Sequence, residues 1–253
     1  MAIEVFNRYE HKYMLDREMY RQIVKIIEQH MEIDSHNENH KPYTIANIYY
    51  DTPDNYLIRT SLSKPEYKEK LRLRAYGIPS QESKVFLEIK KKFRGVVNKR
   101  RTKLKLAEAY NFIETKTPPK EQDYMNKQVV WEIDYFIHLY NLSPKLYLAY
   151  DRIAYFEKGN PDLRISFDTN IRSRRYDLRL DAGDYGKPLL PGEYYLMEIK
   201  TSLAKPIWLA DILNDLNIKR QSFSKYGTEF KNMMHSIAWK KVRKIWVKFL
   251  ILF

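Results

Sequence analysis

The sequence predicts an α+β fold in which helices cover one face of a large antiparallel sheet. Several segments alternate charged and apolar residues with a period of two, which is typical of strands with one polar and one buried face. These segments are 67–76, 84–92, 96–105 and 193–201. Residues 17–31 and 124–142 instead place apolar residues at helical spacing, and such helices can cover the apolar faces of the strands.

Composition narrows the class of protein. The chain has 253 residues, of which 44% are hydrophobic, enough for the core of one large domain. A net charge of +13 indicates a polyanionic partner: a nucleic acid, an anionic membrane or a phosphate-rich small molecule. The absence of cysteine excludes disulfides and thiolate metal sites. The sequence contains neither GxGxxG nor GxxxxGK[ST], which argues against a Rossmann or P-loop enzyme. Residues 1–5 show no signal-peptide pattern, so we expect a cytoplasmic protein, at the inner face of the membrane if the tail described below contacts it.

The N-terminal half reads as a strand, a helix and a series of strands. A first strand at 4–15 is followed by Asp16, a helix N-cap residue, and a helix over 17–31. A polar loop at 32–42 precedes a strand at 44–51, and Thr52-Pro53-Asp54 then marks a turn before a short helix at 54–62. The three alternating strands follow, with Gly95 between the last two as a hairpin requires.

The C-terminal half mixes helices with further strands. A helical section at 106–142 is broken by Pro118-Pro119. The elements predicted after it are strands at 145–157 and 162–169, a loop or weak hairpin at 174–191, a strand at 193–201, a helix from Pro206 to Leu216 and a last helix starting near Ser222. No Pro/Gly/Ser-rich linker separates the halves, so we expect one domain over 1–235.

The tail at 236–253 alternates basic and bulky apolar residues. Its apolar run is too short to span a bilayer. One interpretation is a segment that contacts a membrane surface or a membrane protein. The alternative is a helix that covers the sheet.

The polar faces of the strands are mainly basic, and carboxylates recur two residues before a lysine. The three instances are Glu10-His11-Lys12, Glu88-Ile89-Lys90 and Glu198-Ile199-Lys200. If helices surround a closed barrel, these charges line a water-filled interior, which an anion would stabilise because unpaired buried charge is costly. The alternative is an open sheet with a solvated basic face. The residue pattern alone leaves both open.

Motifs on these strands, taken in order, resemble those of a known family. They are Arg8–Tyr13, Tyr49–Pro53, Lys70–Gly77, Phe86–Lys90, Lys99–Arg101, Tyr150–Arg152, Leu163–Thr169, Met197–Lys200 and Ser222–Tyr226. In this order and spacing the chain resembles the VTC domain, the polyphosphate polymerase core of the vacuolar transporter chaperone complex. That domain is part of the CYTH superfamily of triphosphate tunnel metalloenzymes.

The resemblance implies a closed antiparallel β-barrel tunnel with helices on its outside, which transfers the γ-phosphate of ATP to a growing polyphosphate chain with Mn²⁺ or Mg²⁺ bound. Carried over by position, the catalytic phosphate-binding residues are Lys12, Arg72, Arg74, Lys90, Arg152, Arg164 and Lys200. The substrate-binding residues are Lys99, Arg101, Tyr150 and Lys225, and Glu198 is the metal ligand. Lys99 and Arg101 compete for one role, because the register of their strand is not fixed.

Other residues and other functions remain as alternatives. Glu10 and Glu88 are either metal ligands or partners of Lys12 and Lys90, and Asp168 is either a turn cap or a metal ligand. His11 is expected to pack, and a metal site at His36 and His40 is the less favoured interpretation of that loop. The alternative functions are a triphosphate tunnel hydrolase and a non-catalytic polyphosphate binder. Specific nucleic-acid binding is not expected, because duplex DNA cannot enter such a tunnel.

Overall fold

The protein is described by a computed structural model that covers residues 9–94, 96–202 and 204–250. The side chains of Glu38, Pro161 and residues 240–250 are outside the described set. Three predictions therefore fall, in whole or in part, outside the described residues: the start of the first strand with Arg8, the hairpin residue Gly95, and the side-chain character of most of the tail.

The described residues form ten strands and six helices. The strands are β1 (Tyr9–Leu15), β2 (Met31–Ile33), β3 (Tyr43–Asp51), β4 (Tyr67–Tyr76), β5 (Lys84–Phe93), β6 (Val96–Lys105), β7 (Ser143–Glu157), β8 (Asn160–Arg174), β9 (Lys187–Pro188) and β10 (Tyr195–Thr201). The helices are α1 (Arg17–His30), α2 (Tyr56–Leu62), α3 (Leu106–Thr115), α4 (Lys127–Leu139), α5 (Ile207–Asp215) and α6 (Lys225–Leu250). A 3-10 turn covers Glu38–His40.

All ten strands belong to one antiparallel sheet. Its main path runs β1-β10-β8-β7-β3-β4-β5-β6, while β2 pairs with β7 and β9 pairs with β8. The N-terminal strand therefore pairs with the last one, with Tyr9 opposite Thr201. These pairings confirm the predicted α+β class and join both halves of the chain. Among the described strands no pairing joins β1 to β6, so the predicted closure of the barrel is not confirmed.

The sheet is nevertheless strongly curled. β1 and β5 are six steps apart along the path, which in a flat sheet places them roughly 29 Å from each other. The Lys90 ammonium on β5 nevertheless lies 3.7 Å from a carboxylate oxygen of Glu10 on β1. The two strands therefore face each other across the concave side of the sheet. We call this concave, charged side the inner face.

Apolar side chains on the outer face form two cores under the helices. In the first, Leu71 and Leu73 of β4 pack with Phe112 of α3 and Ile133 of α4. In the second, residues of β1, β8 and β10 pack against α1 and α5; its members include Leu15, Ile23, Ile27, Ile165, Met197, Leu209 and Ile212. The helices therefore cover the apolar strand faces, as the periodicity predicts.

A third apolar cluster lies on the inner side and involves α2 and α6. Ile45, Leu148 and Leu196 from three strands pack there with Tyr226 and Phe230 of α6. Because these residues fill part of the concave side, α6 is anchored against the sheet. This anchoring carries the first residue of α6, Lys225, to the charged part of the inner face.

Helix starts follow the local signals. The side chain of Asp16 accepts a hydrogen bond of 2.8 Å from the Met19 amide, which confirms the predicted N-cap of α1. Such a cap typically contributes about 1 kcal/mol to stability. Asp51 at the end of β3 accepts from the amides of Leu57 and Ile58 and so holds the first turn of α2.

Two strand predictions needed correction. β2 forms inside the predicted loop 32–42, where Met31–Ile33 pairs with β7. β8 continues to Arg174 rather than ending at 169. Asn170, with a positive φ of 48°, interrupts the pairing with β7, and the pairing resumes at Arg172. Arg172 and Arg174 are buried, and backbone carbonyls accept their guanidinium hydrogen bonds. A basic run of this kind reads as a loop in sequence.

α6 runs without a break from Lys225 to Leu250 and crosses the predicted boundary at residue 235. That boundary and a membrane contact of residues 236–253 stay predictions. Across the described helices, none is both long enough and apolar enough to cross a lipid bilayer.

Candidate anion-binding site

The sheet brings every predicted site residue to the inner face or its rim. This follows from the period of two, because residues at alternate positions of a strand share one side. The predicted residues are Lys12 on β1, Arg72 and Arg74 on β4, Lys90 on β5, Lys99 and Arg101 on β6, Tyr150 and Arg152 on β7, Arg164 on β8, Glu198 and Lys200 on β10, and Lys225 on α6.

Glu198 lies at the centre of one group of charges. Its carboxylate is 3.1 Å from the ammonium groups of Lys12 and Lys200, 3.3 Å from that of Lys225 and 3.4 Å from the guanidinium of Arg152. Burial raises the pKa of this carboxyl, but Lys12, Lys225 and Lys200 outweigh that and hold the pKa well below its ordinary value. Glu198 is therefore an anion that four cations surround.

Asp168 belongs to the same group. It is fully buried, and Arg152 donates two hydrogen bonds to it, of 2.6 and 2.8 Å. The Lys225 ammonium lies 2.5 Å from Oδ2, the oxygen that also accepts from Arg152 Nη2. Burial opposes ionisation, but Arg152 and Lys225 lower the pKa of Asp168. The turn-cap interpretation is wrong, because β8 continues for six residues beyond Asp168 to Arg174.

Glu88 is the centre of a second group. Its carboxylate binds the Arg72 guanidinium at 2.6 Å and the Lys99 ammonium at 3.4 Å, with Arg74 at 3.8 Å. The sequence pattern paired Glu88 with Lys90, but Lys90 instead contacts Glu10. Arg72 lies directly opposite Glu88 in the register, and directly opposite side chains are the closest neighbours in a sheet. Glu88 therefore fixes the orientation of Arg72.

Two residues of β3 complete this region, and the sequence reading missed both as site residues. The side-chain oxygen of Asn47 accepts a hydrogen bond from Arg74 at 3.0 Å. The Tyr49 hydroxyl accepts one from Arg72 at 3.3 Å. The available signal was a fully buried asparagine in an otherwise apolar strand, because a buried amide requires polar partners.

Tyr150 joins the two groups. Its hydroxyl accepts a hydrogen bond from Arg74 at 3.3 Å, and its ring packs against the Lys225 ammonium at 4.3 Å and the Arg152 guanidinium at 5.2 Å. Burial alone would raise the pKa of Tyr150, but Arg74 and Arg152 lower it below its ordinary value. The ring therefore acts as a spacer between cations.

Lys99 and Arg101 take different positions. Lys99 reaches Glu88, whereas the Arg101 guanidinium lies 4.7 Å from the centre of the Phe86 ring. Both side chains contact residues of the inner face, so the structure does not force a choice between them.

Lys70 was on the predicted basic face but not among the predicted site residues. It lies opposite Lys90 in the register, and the described residues give it no ion pair; its ammonium is 5.7 Å from the Tyr226 ring centre. Burial, with Lys90 and Lys68 nearby, lowers the pKa of Lys70 to about 7. Burial likewise lowers the pKa of Lys99 to about 7 and that of Lys200 to about 8. In Lys99 and Lys200 the effect of burial on the pKa outweighs that of the paired carboxylates, Glu88 and Glu198.

Arg164 is held at the rim of the inner face. Its Nη2 donates to Asp34 at 3.1 Å and to the Tyr43 hydroxyl at 3.4 Å. Its Nε is buried and, among the described residues, has no hydrogen-bond acceptor. A buried guanidinium N–H without an acceptor is costly, so this position favours an anion.

The histidines stand apart from the charged groups. His11 lies 3.2 Å from the Lys205 ammonium, His36 contacts Asp34 and His40 lies near Glu28. Within the described ranges, no three histidine, aspartate or glutamate side chains are placed to hold a metal ion together. A divalent ion would therefore be bound here by a single carboxylate, such as that of Glu198, together with phosphate oxygens of the substrate. Mg²⁺ commonly adopts this arrangement.

Comparison with known proteins agrees with this architecture. The family model described as the VTC domain matches residues 7–234. The chain belongs to the VTC domain family. The recognition made from the motifs is thereby confirmed.

One relative of this VTC domain is the vacuolar transporter chaperone complex subunit 4 of Trypanosoma brucei brucei. It is 24% identical, and the match covers 96% of this chain but 36% of the relative. The chain thus spans about a third of that protein's length.

Two solved structures are similar in fold to this VTC domain. A putative adenylate cyclase from Bacillus halodurans is 16% identical with a TM-score of 0.54, covering 88% of this chain and 96% of its own. A putative adenylyl cyclase from Hippeastrum, described as having a dominant triphosphatase activity, is 14% identical with a TM-score of 0.53, covering 91% and 96%. At these identities the likeness shows the fold alone.

Proposed function

We propose that this VTC domain is a polyphosphate polymerase that transfers the γ-phosphate of ATP to the end of a polyphosphate chain. The observation that carries the proposal is the excess of cations over carboxylates on the inner face, above all Lys70, which is partly buried and has no ion pair among the described residues. Buried charge of one sign is costly unless a partner compensates it. A linear chain of phosphates supplies such compensation at regular intervals.

The reaction asks for positioning and charge stabilisation more than for covalent chemistry. A terminal oxygen of the chain forms a bond to the γ-phosphorus of ATP, while the bond from that phosphorus to the β–γ bridging oxygen breaks and ADP leaves. Arg72, Arg74 and Arg152 have forked guanidinium groups that match phosphate oxygens. Their partners Glu88, Asn47 and Asp168 hold each fork in a fixed orientation before substrate arrives.

A divalent ion, Mn²⁺ or Mg²⁺, would neutralise charge that develops on the transferred phosphoryl group. Glu198 is the residue proposed to hold it, because its carboxylate is ionised and lies among the phosphate-binding cations. Lys12, Lys200 and Lys225 contact this carboxylate, so the residue that would hold the ion stands beside three cations that can bind phosphate oxygens.

The carboxylates of the inner face are poorly suited to activate water. Hydrolysis benefits from a general base that activates water. Within the two charged groups and the Glu10 contact described above, cations engage each carboxylate: Glu10, Glu88, Asp168 and Glu198. The pKa of each is lowered, so each is a weak base. A terminal phosphate oxygen is already ionised and needs no such base.

The test is to incubate the purified protein with ATP and Mn²⁺ and to resolve the products on a polyphosphate gel. We expect long chains and ADP. Glu198→Gln should abolish chain formation and keep anion binding, whereas Glu82→Gln, at an exposed position, should behave like the wild type. ATP converted to ADP and free phosphate without chains would contradict the polymerase and support a hydrolase.

A non-catalytic polyphosphate binder is the remaining alternative, and metal dependence separates it from an enzyme. Turnover that is absent with Mn²⁺ and with Mg²⁺, together with tight polyphosphate binding, would support the binder. Competition between tripolyphosphate and duplex DNA tests the partner class. We expect DNA not to displace tripolyphosphate, because an inner face of this curvature admits a single chain rather than a duplex.

A further inference from the structure

A small aromatic cavity lies at the end of the inner face, outside the two charged groups. It has a volume of about 290 Å³ and is lined by Ser35, His36, Tyr43 and Tyr76. The Tyr43 ring centre is 5.9 Å from that of Tyr76 and 6.2 Å from that of His36. Nearly half of the Tyr76 surface is exposed, at 47%. Three aromatic rings around an open space form a surface on which a flat, apolar group can stack.

The cavity is joined directly to the phosphate-binding cations. The Tyr43 hydroxyl accepts a hydrogen bond from Arg164, the residue whose buried Nε has no acceptor among the described residues. Asp34 accepts from the same guanidinium and also contacts the His36 ring at 2.9 Å. One carboxylate therefore orients both a wall of the cavity and the cation beside it. A ligand that fits has a planar ring next to an anion.

We propose that this cavity binds the base of the nucleoside triphosphate, with the ring stacked against Tyr43 and Tyr76 and the phosphates continuing past Arg164 onto the inner face. The inference rests on the proposed function and adds to it the place of the nucleoside. Stacking on aromatic side chains tolerates every base, so we expect weak discrimination among nucleotides, with purines favoured by their larger ring area.

Tyr76 offers a clean variant, because its ring is half exposed and its removal leaves the hydrogen bond between Tyr43 and Arg164 in place. We expect Tyr76→Ser to weaken ATP binding roughly tenfold, within the range that loss of one stacked base produces. Tripolyphosphate, which has no base, should bind within about twofold of the wild type. Tyr76→Phe keeps the ring and should match the wild type for both ligands.

His36→Ala supplies a second variant, because this side chain is 76% exposed and its loss does not threaten folding. It should weaken ATP binding and spare tripolyphosphate. The affinities are measured by calorimetry in EDTA, so that no turnover occurs. The fluorescence of 1,N6-etheno-ATP gives an independent readout: we expect stacking to quench it in the wild type and less so in Tyr76→Ser.

The outcomes separate this inference from the proposed function. The wild type could bind ATP and tripolyphosphate with equal affinity, and neither variant could change the ratio of the two affinities. That result would overturn the base-binding cavity but would not contradict the polymerase. An equal loss of both ligands in Tyr76→Ser would also overturn it, since the ring would then support the sheet. If the wild type binds neither anion, the proposed function fails and the cavity proposal fails with it.

Discussion

Lys70 and Arg72 are two residues apart on one strand, yet their electrostatic situations are opposite. Arg72 is held at 2.6 Å from the buried Glu88, whereas the described residues provide no ion pair for Lys70. The same inner face therefore contains cations that stabilise the folded protein and a cation that destabilises it. A ligand-binding role explains why the second kind is present.

Conversion of each residue to glutamine tests this difference. We expect Arg72→Gln to lower the free energy of unfolding by about 3 kcal/mol, because Glu88 loses its closest partner. Lys70→Gln should raise it by about 1 kcal/mol, within the range of single stabilising substitutions. Urea denaturation of the ligand-free proteins at about pH 6 measures both. A loss of stability in Lys70→Gln would show that the lysine has a compensating partner.

The gain from Lys70→Gln should depend on pH with a definite sign. The pKa of Lys70 is about 7 in the folded protein and that of a free lysine about 10.4. Below about pH 7 the group is charged in both states and the cost of burying the charge is fully present. As pH rises from there toward about 10, the unfolded chain holds the proton that the folded one has lost, so the wild type gains stability. The advantage of the variant should therefore shrink as pH rises above about 7, and because one proton changes stability by about 1.4 kcal/mol per pH unit, urea curves should show it gone by about pH 8.

Anion binding should be accompanied by proton uptake. The pKa values of Lys70, Lys99 and Lys200 are about 7, 7 and 8. At pH 8 a fraction of each of these side chains is therefore neutral. Phosphate charge nearby favours the charged form and returns these protons. We expect roughly one to two protons to be taken up per tripolyphosphate. Calorimetry in two buffers with different ionisation enthalpies gives the number, and it should fall in Lys70→Gln.

Among the elements, α6 is joined to β3 and α2 through one buried carboxylate. Asp51 accepts hydrogen bonds from the Ile58 amide at 3.0 Å and from the Tyr226 hydroxyl at 3.1 Å, and it also accepts from the Leu57 amide. It therefore ties the end of β3 to the start of α2 and to α6. Lys225 is the neighbour of Tyr226, so this contact also determines where the Lys225 ammonium lies.

Asp51→Asn replaces one acceptor oxygen by a donor that faces other donors. We expect a loss of about 2 to 3 kcal/mol in the free energy of unfolding, because buried hydrogen-bonding groups are then left unpaired. Tyr226→Phe removes a single hydrogen bond and should cost about 1 kcal/mol. Denaturation curves of the two single variants and the double variant provide the test. Equal losses in the two single variants would contradict the shared role of Asp51.

Local signals predicted most elements because local chemistry fixes them. Asp16 caps α1 as expected, and alternation in 67–76 and 84–92 located β4 and β5 to within a residue. β2 and the end of β8 were missed, because their strand character comes from pairing with β7 and not from their own residues. The alternation of residues also did not predict which side chains form ion pairs. Glu88 pairs with Arg72 on the neighbouring strand, and this contact can be predicted only when the strand register is known.

At the scale of the whole molecule, the sequence predicted which residues share the charged side but not its geometry. The curl that brings Glu10 to Lys90 depends on the order of eight strands, which no single segment encodes. The residues that fill the ends of the inner face, such as Tyr43 and Tyr226, sit on elements whose mutual positions follow from the same order. Motif resemblance supplied the family, and the structure supplied the contacts.

The concentration of like charge on one face predicts a specific response to anions. Tripolyphosphate at about one hundred times its dissociation constant should stabilise the protein by about 2.7 kcal/mol through binding to the folded state. Sodium chloride at matched ionic strength only screens the charges and should raise the melting temperature much less. Differential scanning fluorimetry compares the two. Equal shifts would indicate general screening and no specific site.

The pairing of the first strand with the last also sets an order of events during synthesis. Tyr9 lies opposite Thr201, so β1 has no partner until nearly two hundred further residues have been made. At ribosomal rates this delay is roughly 10 to 40 s. Lys12 and Glu198 therefore meet only when β10 has been made and has emerged from the ribosome, and the charged surface is completed as one of the last steps. Until then β1 is an unpaired edge that is open to other chains.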